Sequence, residues 1–354
     1  MDIQSIKLIR TENPDRWLWA AFMPFQNEET ARRYLMDVYS RAQAEHPDRL
    51  AYRNVPAFTS YMNQAVALIQ DSGRSNQPWA RPILLYYGMM SMFKAWLLTR
   101  MPDYPQNATV LRHGLSTRKR KRSGFRFVED DIRIQREGLF PLVAEALHLP
   151  VQAGESYTAK DLFGLIAELQ PTYRLLFGQE SLIPVFFSRS GDDILLHIPE
   201  RVQDSFHCSA ERLADKLNRV GSIPFFAVES GKAAGHLTLR VTIDPSSSAL
   251  CTAESVWLNF QHPWFYEDKK GDHYLWLGNG RPLAPIPELL AHLMLLFSLS
   301  MLCRYDPPLW GEIMLDNQHA EQILINELLD LVPRKFPQLM LAIFTGEKSV
   351  LRVE

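Results

Sequence analysis

The chain has 354 residues, of which 46% are hydrophobic and 22% are charged, and its formal net charge is -2. This composition is typical of a folded globular protein of two or three structural units, and it excludes a disordered or uniformly basic chain. Any contact with nucleic acid must therefore depend on a local basic patch. The cysteines are far apart, odd in number and without a CxxC pair, namely Cys208, Cys251 and Cys303. Together with a start that lacks a signal-peptide pattern, they predict a cytoplasmic protein.

From residue 1 to residue 180, the apolar residues recur mainly at the spacing of helix faces. The segment "NEETARRYLMDVYSRAQAEH" is apolar on one side, whereas "PILLYYGMMSMFKAWLLTRM" is apolar nearly all round and begins with a proline. The second pattern predicts a central, buried helix. Two further helices are predicted in "DDIRIQREGLFPLVAEAL" and "TAKDLFGLIAELQ", the latter with Thr158 and Asp161 in its first turn.

Residues 181–282 instead carry strand and turn signals. "IPVFFSRSGDDILLHIP" predicts two strands around a Ser-Gly-Asp turn, and "EDKKGD" predicts a turn between aromatic strands. Residues 283–354 are helical again, with "HAEQILINELLDLVPRKF" predicted to end at Pro333. The sequence therefore predicts an α+β fold, in which a helical N-terminal region (1–180) and a helical C-terminal region (283–354) pack together and an antiparallel β-rich region lies between them. The apolar run 289–303 is too short and too interrupted for a membrane span, so it predicts a core helix.

The densest positive charge lies in "RHGLSTRKRKRSGF", residues 112–125. Lysine and arginine side chains neutralise phosphates and release counterions, and the adjacent Phe125 and Phe127 can stack on bases. The acidic "VEDD" that follows can neutralise part of this charge, so a solvated loop is the alternative. The predicted ligand-binding residues of this run are Ser116, Arg118, Lys119, Arg120, Lys121 and Arg122.

His113 and Gly114 lie at the start of the run, directly after Arg112. Glycine allows the backbone to approach a ligand, histidine exchanges protons near neutral pH, and arginine binds phosphate through two parallel hydrogen bonds. These residue types predict a phosphate site. The alternative is a tight turn after a helix, in which His113 caps a neighbouring group.

Two cations interrupt the apolar helices and are also predicted ligand-binding residues. Lys94 lies within an apolar helix, where its charge must reach solvent or find a partner. Arg304 ends the C-terminal apolar helix, where it either favours the helix dipole and pairs with Asp306 or binds a ligand. If the two helices pack together, Lys94, His113 and Arg304 are expected to converge.

Two stretches carry a family resemblance, namely "RPILLYYGMMSMFKAWLLT" followed by "HGLS", and "LLFSLSMLCRYDPPLWGEIM". With the order of the elements between them, they make the chain resemble the bacterial YaaC-like protein family over most of its length. The resemblance implies this order of helix, loop, β-rich middle and helix, but it implies no particular activity.

Residues 82–116 alone are similar to the core hairpin of HEPN-type helical domains, in which a helix of the form YYxMxxxxKAxLL precedes a loop with His-Gly. This resemblance implies binding of nucleic acid or nucleotides and, for the active members, a metal-independent ribonuclease. Those members carry an arginine and then a histidine after about four to six residues, a spacing found at Arg41 and His46. The predicted catalytic pair is His113 with Arg112, and the alternative pair is His46 with Arg41.

The sequence thus predicts binding of a phosphate-bearing ligand (RNA, DNA or a nucleotide) through residues 112–126, as a HEPN-like ribonuclease or a nucleotide-responsive factor. No cofactor or metal site is predicted, because GxxxxGK[ST] and GxGxxG motifs and metal-ligand spacings are absent. The alternative is a non-catalytic protein-interaction or regulatory module. For that alternative, "WLNFQHPWFY" is either a binding face or a strand of the core.

Overall fold

The computed structural model describes residues 4–117, 124–220, 224–229, 235–243, 249–252, 256–259, 262–278, 285–316 and 319–353. The chain forms two compact units, and each is assembled from separate stretches of sequence. The sheet unit contains Met1–Pro14, Phe163–Ala291 and Leu341–Glu354, whereas the helical unit contains Asp15–Leu162 and His292–Met340.

Helices dominate both ends of the chain and antiparallel strands its middle, so the predicted α+β class is confirmed. The described helices are α1 (Pro14–Gln26), α2 (Glu28–Arg41), α3 (Pro47–Arg74), α4 (Arg81–Arg100), α5 (Leu139–Ala146), α6 (Ala159–Phe163), α7 (Gln170–Phe177), α8 (Arg201–Phe206), α9 (Ala210–Val220), α10 (Glu288–Tyr305), α11 (Pro307–Leu315) and α12 (Gln322–Thr345). The described strands are β1 (Ser5–Arg10), β2 (Leu115–Thr117), β3 (Asp131–Ile134), β4 (Ser156–Thr158), β5 (Leu182–Ser190), β6 (Asp193–Pro199), β7 (Phe225–Val228), β8 (His236–Thr242), β9 (Ala249–Cys251), β10 (Val256–Leu258), β11 (Phe265–Glu267), β12 (His273–Trp276) and β13 (Glu347–Arg352).

The centre of the helical unit is the close packing of α3 against α4. Most of α4 is buried, as its apolar pattern predicts. Gly88 makes the approach possible, because a Cβ atom at this position would lie 2.7 Å from the side chain of Ile69 and 3.3 Å from the carbonyl oxygen of Ala65. The glycine of the "YYG" segment is thus a packing residue that brings the two helix backbones together.

A three-stranded antiparallel sheet of order β2-β3-β4 also belongs to the helical unit. The predicted helix over residues 130–147 is wrong in its first half, because β3 occupies Asp131–Ile134 and only Leu139–Ala146 is helical. Ile132 and Ile134 are buried and Arg133 between them is exposed, which is the two-residue period of a strand. Thr158 and Asp161 do cap α6, since the backbone N–H and the hydroxyl of Thr158 both donate to the Asp161 carboxylate. This helix is short and gives way to a 3-10 turn at Ala167–Leu169.

The sheet unit contains a six-stranded antiparallel sheet of order β11-β12-β5-β6-β8-β7. The predicted hairpins at residues 183–199 and 265–276 are both present as β5–β6 and β11–β12. One sheet face is apolar and packs against α9, with Val185 and Leu196 among its buried residues and Leu213 and Leu217 on the helix. Trp257 and Leu258 are also buried, so the described part of the aromatic segment 257–266 contributes to the core. A separate parallel pair joins β1 to β13 in the register Ser5↔Glu347 to Arg10↔Arg352.

Two long helices, α10 and α12, lie in the last part of the described chain. By length and composition α10 is the helix among the described residues that could cross a membrane, but 83% of its apolar window is buried inside the protein. The prediction that the last helix ends at Pro333 is wrong, because α12 continues through both Pro333 and Pro337. Val332, Phe336 and Met340 are buried on either side of these prolines. Their packing compensates for the hydrogen bonds that the prolines cannot make.

Candidate functional site

A close crossing of two glycines fixes the loop that carries His113. Gly114 and Gly138 have φ angles of +74° and +131°, and a Cβ atom at Gly138 would lie 2.4 Å from the backbone nitrogen of Gly114. A Cβ atom at Gly114 would lie 2.4 Å from the Cδ atom of Pro141. Any other residue at either position would push the loop away from the start of α5.

Backbone hydrogen bonds complete this attachment. The N–H groups of Leu139 and Phe140 donate to the carbonyl oxygens of Arg112 (2.8 Å) and His113 (3.1 Å), and the Gln135 N–H donates to Gly114 (2.9 Å). The main chain around His113 therefore supplies acceptors to the first turn of α5. The imidazole of His113 is not used as a cap and remains available for other contacts.

The His113 ring lies in an aromatic cluster made by α4 and α10. Its Nδ1 atom is 2.7 Å from the hydroxyl oxygen of Tyr86, and its ring centre is 5.5 Å from that of Phe297. Burial raises the pKa of Tyr86 well above its ordinary value, so the phenol keeps its proton. Burial and the positive charges of Arg304 and Lys94 lower the pKa of His113, so the imidazole is neutral at pH 7. No hydrogen bond to its Nε2 atom is found among the described residues.

Arg304 at the end of α10 lies beside this cluster. Its Nη1 atom donates to the hydroxyl of Tyr87 (2.9 Å), and its Nε atom donates to the carbonyl oxygen of Ser300 (3.1 Å). Its guanidinium carbon is 5.5 Å from the centre of the Tyr87 ring and 5.1 Å from that of the Tyr305 ring. The guanidinium is thus held between tyrosines, where cation–π attraction and the helix dipole favour its charge.

Lys94 is the second cation of the site. Its Nζ atom lies 5.6 Å from the centre of the Tyr61 ring of α3, and burial lowers its pKa. One turn earlier on α4, the hydroxyl of Ser91 donates to the side-chain oxygen of Gln64 (2.7 Å). The lysine charge therefore lies against an aromatic face.

Neither Lys94 nor Arg304 forms an ion pair with a carboxylate in the part of the chain that the structure describes. The predicted pair of Arg304 with Asp306 is absent there, and Asp306 instead accepts the Leu309 N–H at the start of α11 (3.4 Å). Other cations of this unit are paired, such as Arg81 with Asp330 (2.6 Å) and Arg53 with Asp103 (2.8 Å). Two cations that have no carboxylate partner among the described residues, beside a neutral imidazole and tyrosine hydroxyls, form an arrangement that suits an anion.

A sequence profile of the YaaC-like protein family matches residues 23–344. The chain belongs to this family. The match includes the "YYG" helix, the "HG" loop and the "SMLCRY" helix, and it confirms the resemblance inferred from those segments. The similarity of residues 82–116 to HEPN domains stays a prediction. No curated protein and no solved structure matches the chain at a significant level.

In this YaaC-like protein, the predicted basic residues Arg118, Lys119, Arg120, Lys121 and Arg122 lie outside the described residues. The residues that flank them, Thr117 and Phe125, both line a pocket with an empty volume of about 360 Å³, including the part that is open to solvent. Met301 and Tyr305 of α10 line the same pocket, next to Arg304 in sequence. Farther along, the Phe127 N–H donates a hydrogen bond of 2.9 Å to the carboxylate of Glu321. Glu321 is buried, with only 2% of its surface exposed. The end of the segment 112–126 is therefore attached to the start of α12.

The other predicted site residues of the YaaC-like chain have contacts that do not involve the His113 cluster. Arg112 is exposed, and the Ser116 hydroxyl accepts a hydrogen bond from Gln135 (2.6 Å). Arg41 ends α2 and donates to the carbonyl oxygen of Asp37 (3.3 Å), while His46 precedes α3 in a left-handed conformation. The structure thus brings together Lys94, His113 and Arg304.

Three aromatic residues of the site were not predicted, namely Tyr86, Tyr87 and Phe297. Each lies in an apolar helix, where an aromatic side chain is expected in the core. The adjacent tyrosines of the "YYG" segment are the signal that was available, because a buried phenol needs a hydrogen-bond partner. Among the described residues, no group of three or more His, Cys, Asp or Glu side chains is arranged to hold a metal ion.

Proposed function

We propose that this protein binds a phosphate-bearing ligand (RNA, DNA or a nucleotide) through Lys94, His113, Arg304 and the basic segment 112–126. The observation that carries the proposal is the convergence of two cations without carboxylate partners beside a neutral histidine, within the described part of the chain. A partly buried cation is stabilised most by an anion of matching geometry, and arginine matches a phosphate with parallel N–H groups.

Tyr87 supports the same proposal from the aromatic side. Tyr87 is 36% exposed, and its ring lies against the Arg304 guanidinium. A nucleobase can stack on such a ring while its phosphate contacts the guanidinium, which is how sequence-independent single-strand binding arises. The basic residues 118–122 would extend the phosphate contacts along a polynucleotide and make the affinity depend on salt.

The Tyr86–His113 hydrogen bond allows two roles for the histidine. If Tyr86 donates its O–H to Nδ1, the neutral ring carries its proton on Nε2 and can donate it to a phosphate oxygen. If Nδ1–H donates to the Tyr86 oxygen instead, Nε2 has a free lone pair. A base of that kind can accept the proton of a ribose 2′-OH. Binding needs only the first arrangement, and catalysis needs the second.

A HEPN-like ribonuclease is the enzymatic form of the proposal. In it, His113 Nε2 takes the proton of the 2′-OH, and the 2′-oxygen attacks the adjacent phosphorus. The P–O5′ bond breaks, the leaving 5′-oxygen takes a proton from water, and Arg304 or Arg112 stabilises the charge on the phosphate. The alternative pair, His46 with Arg41, would act from a different part of the unit. The three cysteines are free thiols, which fits the reducing cytoplasm where such ligands are abundant.

Fluorescence anisotropy with a labelled single-stranded RNA, and with DNA of the same sequence, tests this proposal at two salt concentrations. We expect Lys94→Met and Arg304→Gln each to weaken binding about tenfold and to lower the salt slope by about 1, because each removes one phosphate contact. A variant with alanine at positions 118–122 should lose most of the salt dependence. Arg219→Gln, which removes an exposed charge of α9, is the matched control.

Inspection of the bound RNA on a denaturing gel separates the two forms of the proposal. Cleavage that disappears in His113→Asn identifies a ribonuclease, whereas binding without cleavage identifies a ligand-binding factor. If RNA, DNA and mononucleotides all fail to bind at low salt, the proposal is wrong. The alternative hypothesis, a non-catalytic protein-interaction or regulatory module, would then be the one to test.

A further inference from the structure

A basic groove, distinct from the His113 cluster, lies between α2 and the start of α3. It is lined by Arg32, Arg33 and Met36 of α2 and by Asp48, Arg49 and Tyr52 of α3, with an empty volume of about 750 Å³ that includes the part open to solvent. Three guanidinium groups and one carboxylate therefore share this groove. The local excess of positive charge contrasts with the net charge of -2 for the whole chain.

Two of the three arginines have no ion pair within the described part of the chain. Arg33 forms an ion pair with Glu29 one turn earlier on α2. No ion pair of Arg32 or Arg49 is found among the described residues, although Asp48 lines the same groove. Their charges are therefore available to an anion that enters between the helices.

The groove also exposes apolar surface beside these charges. The side chain of Tyr52 is 72% exposed and that of Met36 is 40% exposed. An exposed tyrosine next to free guanidinium groups offers one ligand two contacts, a ring to stack on and a partner for its phosphate. A nucleotide is a ligand that has both parts.

Buried contacts beneath the groove hold its two walls in place. Leu35 and Tyr39 of α2 and Val55 of α3 are in the core. The Tyr39 hydroxyl donates to the carbonyl oxygen of Leu98 (2.8 Å) and accepts the side-chain amide of Asn54 (2.9 Å). Because α2 and α3 are fixed in this way, a ligand would meet a preformed site and would not have to order it.

We propose that this groove binds a nucleotide unit, with its phosphate on Arg32 and Arg49 and its base on Tyr52. The site is separate from the His113 cluster. Tyr52 and Tyr61 are nine residues apart on α3, which places them on about opposite faces of the helix at 3.6 residues per turn. The inference does not rest on the function proposed for His113, and each can fail alone.

Photolabelling with 8-azidoadenosine 5′-monophosphate tests the groove in the full chain. We expect mass spectrometry to find the label at Tyr52 or Met36, with protection by AMP but not by the same concentration of adenosine. Arg32→Ala combined with Arg49→Ala should reduce this labelling about tenfold or more, because each charged hydrogen bond contributes a factor of that order. Arg212→Ala combined with Arg219→Ala, which removes two exposed charges of α9, should leave the labelling unchanged.

Competition then identifies the source of the nucleotide unit. Stronger protection by oligoadenylate than by AMP, per nucleotide, indicates a strand, and the reverse indicates a free nucleotide. The proposal is overturned if Tyr52 and Met36 are not labelled, if adenosine protects as well as AMP, or if the double arginine variant labels normally. Arg304→Gln must not change the labelling here, which keeps this result distinct from that at the His113 cluster.

Discussion

His113 in the helical unit and His197 in the sheet unit have a similar first contact and different surroundings. His113 Nδ1 bonds the Tyr86 hydroxyl (2.7 Å), and His197 Nε2 bonds the Ser188 hydroxyl (2.7 Å). Burial lowers the pKa of both. The second nitrogen of His197 lies 3.3 Å from the Thr238 hydroxyl, so that ring has two polar partners. His113 has one among the described residues.

The cations of the two regions also differ in their ion pairs. Arg240, two residues beyond Thr238 on β8, pairs with Glu229 (2.8 Å) and lies 3.8 Å from Asp193. Lys94 and Arg304 have no such partners in the described chain. A neutral histidine with a hydroxyl partner is therefore part of ordinary packing at His197. In the described chain, cations without ion pairs and a ring nitrogen without a hydrogen bond make the region of His113 the better candidate for a site.

Glycine substitutions in the loop that carries His113 and in the hairpin that carries His197 should give the largest difference. Gly138→Ala places a Cβ atom 2.4 Å from Gly114 in a conformation that only glycine adopts readily, so we expect a loss of about 3 to 5 kcal/mol in the free energy of unfolding. Gly191→Ala, in the β5–β6 turn, meets no atom within 4 Å and should cost about 1 kcal/mol for its φ of +61°. Urea denaturation measures both, and equal costs would mean that the Gly114–Gly138 crossing is not tight.

His273 extends the comparison to a fully buried ring, and it should dominate the acid sensitivity of the sheet unit. Burial lowers its pKa to about 4, whereas an unfolded histidine titrates near 6.5. Between these values the unfolded chain binds more protons, so the free energy of unfolding falls as the pH drops from about 6.5 to 4. The full difference amounts to about 3 kcal/mol.

Urea denaturation of wild type and His273→Asn across this pH range isolates the contribution of that histidine. The variant is expected to be less stable at pH 7 but to lose less stability on acidification. A slope equal to that of the wild type would show that His273 is protonated in the folded protein near pH 6.

Removing the hydroxyl partner of each histidine should have similar effects on stability and different effects on binding. Tyr86→Phe and Ser188→Ala each delete one hydrogen bond, at a cost of about 1 kcal/mol by thermal denaturation. Only Tyr86→Phe should change the affinity for labelled RNA. It removes the hydrogen bond that determines which nitrogen of His113 carries the proton. A matching change in Ser188→Ala would place His197 in a binding site as well.

The smallest effect concerns the protonation of His113 itself. Its pKa is lowered by burial first and by the charges of Arg304 and Lys94 second. Arg304→Gln should therefore raise the pKa of His113 and leave that of His197 unchanged, since burial and His236 set the latter. Titration of the imidazole C–H signals by NMR measures both values in one sample. No shift at His113 would mean that the guanidinium does not act on the ring.

The elements that the sequence predicts correctly are those determined by residues close together in the sequence. The apolar pattern of α4, the one-sided pattern of α2 and the turn between β5 and β6 are properties of neighbouring residues, and the structure has each of them. The sequence predicts helix at Asp131–Ile134, where the structure has a strand, because so short an apolar alternation fits both periods. The passage of α12 through Pro333 depends on tertiary packing, which local rules do not contain.

The candidate site divides in the same way. Lys94 and Arg304 were identifiable because a charge in an apolar helix needs an explanation, and His113 because it precedes a glycine. Arg112 and Ser116 were grouped with them by sequence adjacency, which carries no information about side-chain direction. Tyr86 and Phe297 were missed because an aromatic ring in an apolar helix fits the core equally well.

The pairing of β1 with β13 joins two strands that the ribosome synthesises at widely separated times, so it determines when the sheet unit can be completed. Ser5 is synthesised 342 residues before its strand partner Glu347. At about 5 to 20 residues per second, β1 waits about 20 to 70 s for this partner. The long separation makes loop closure slow, so this pair is expected to form last. The sheet unit is therefore completed only after β13 has been synthesised.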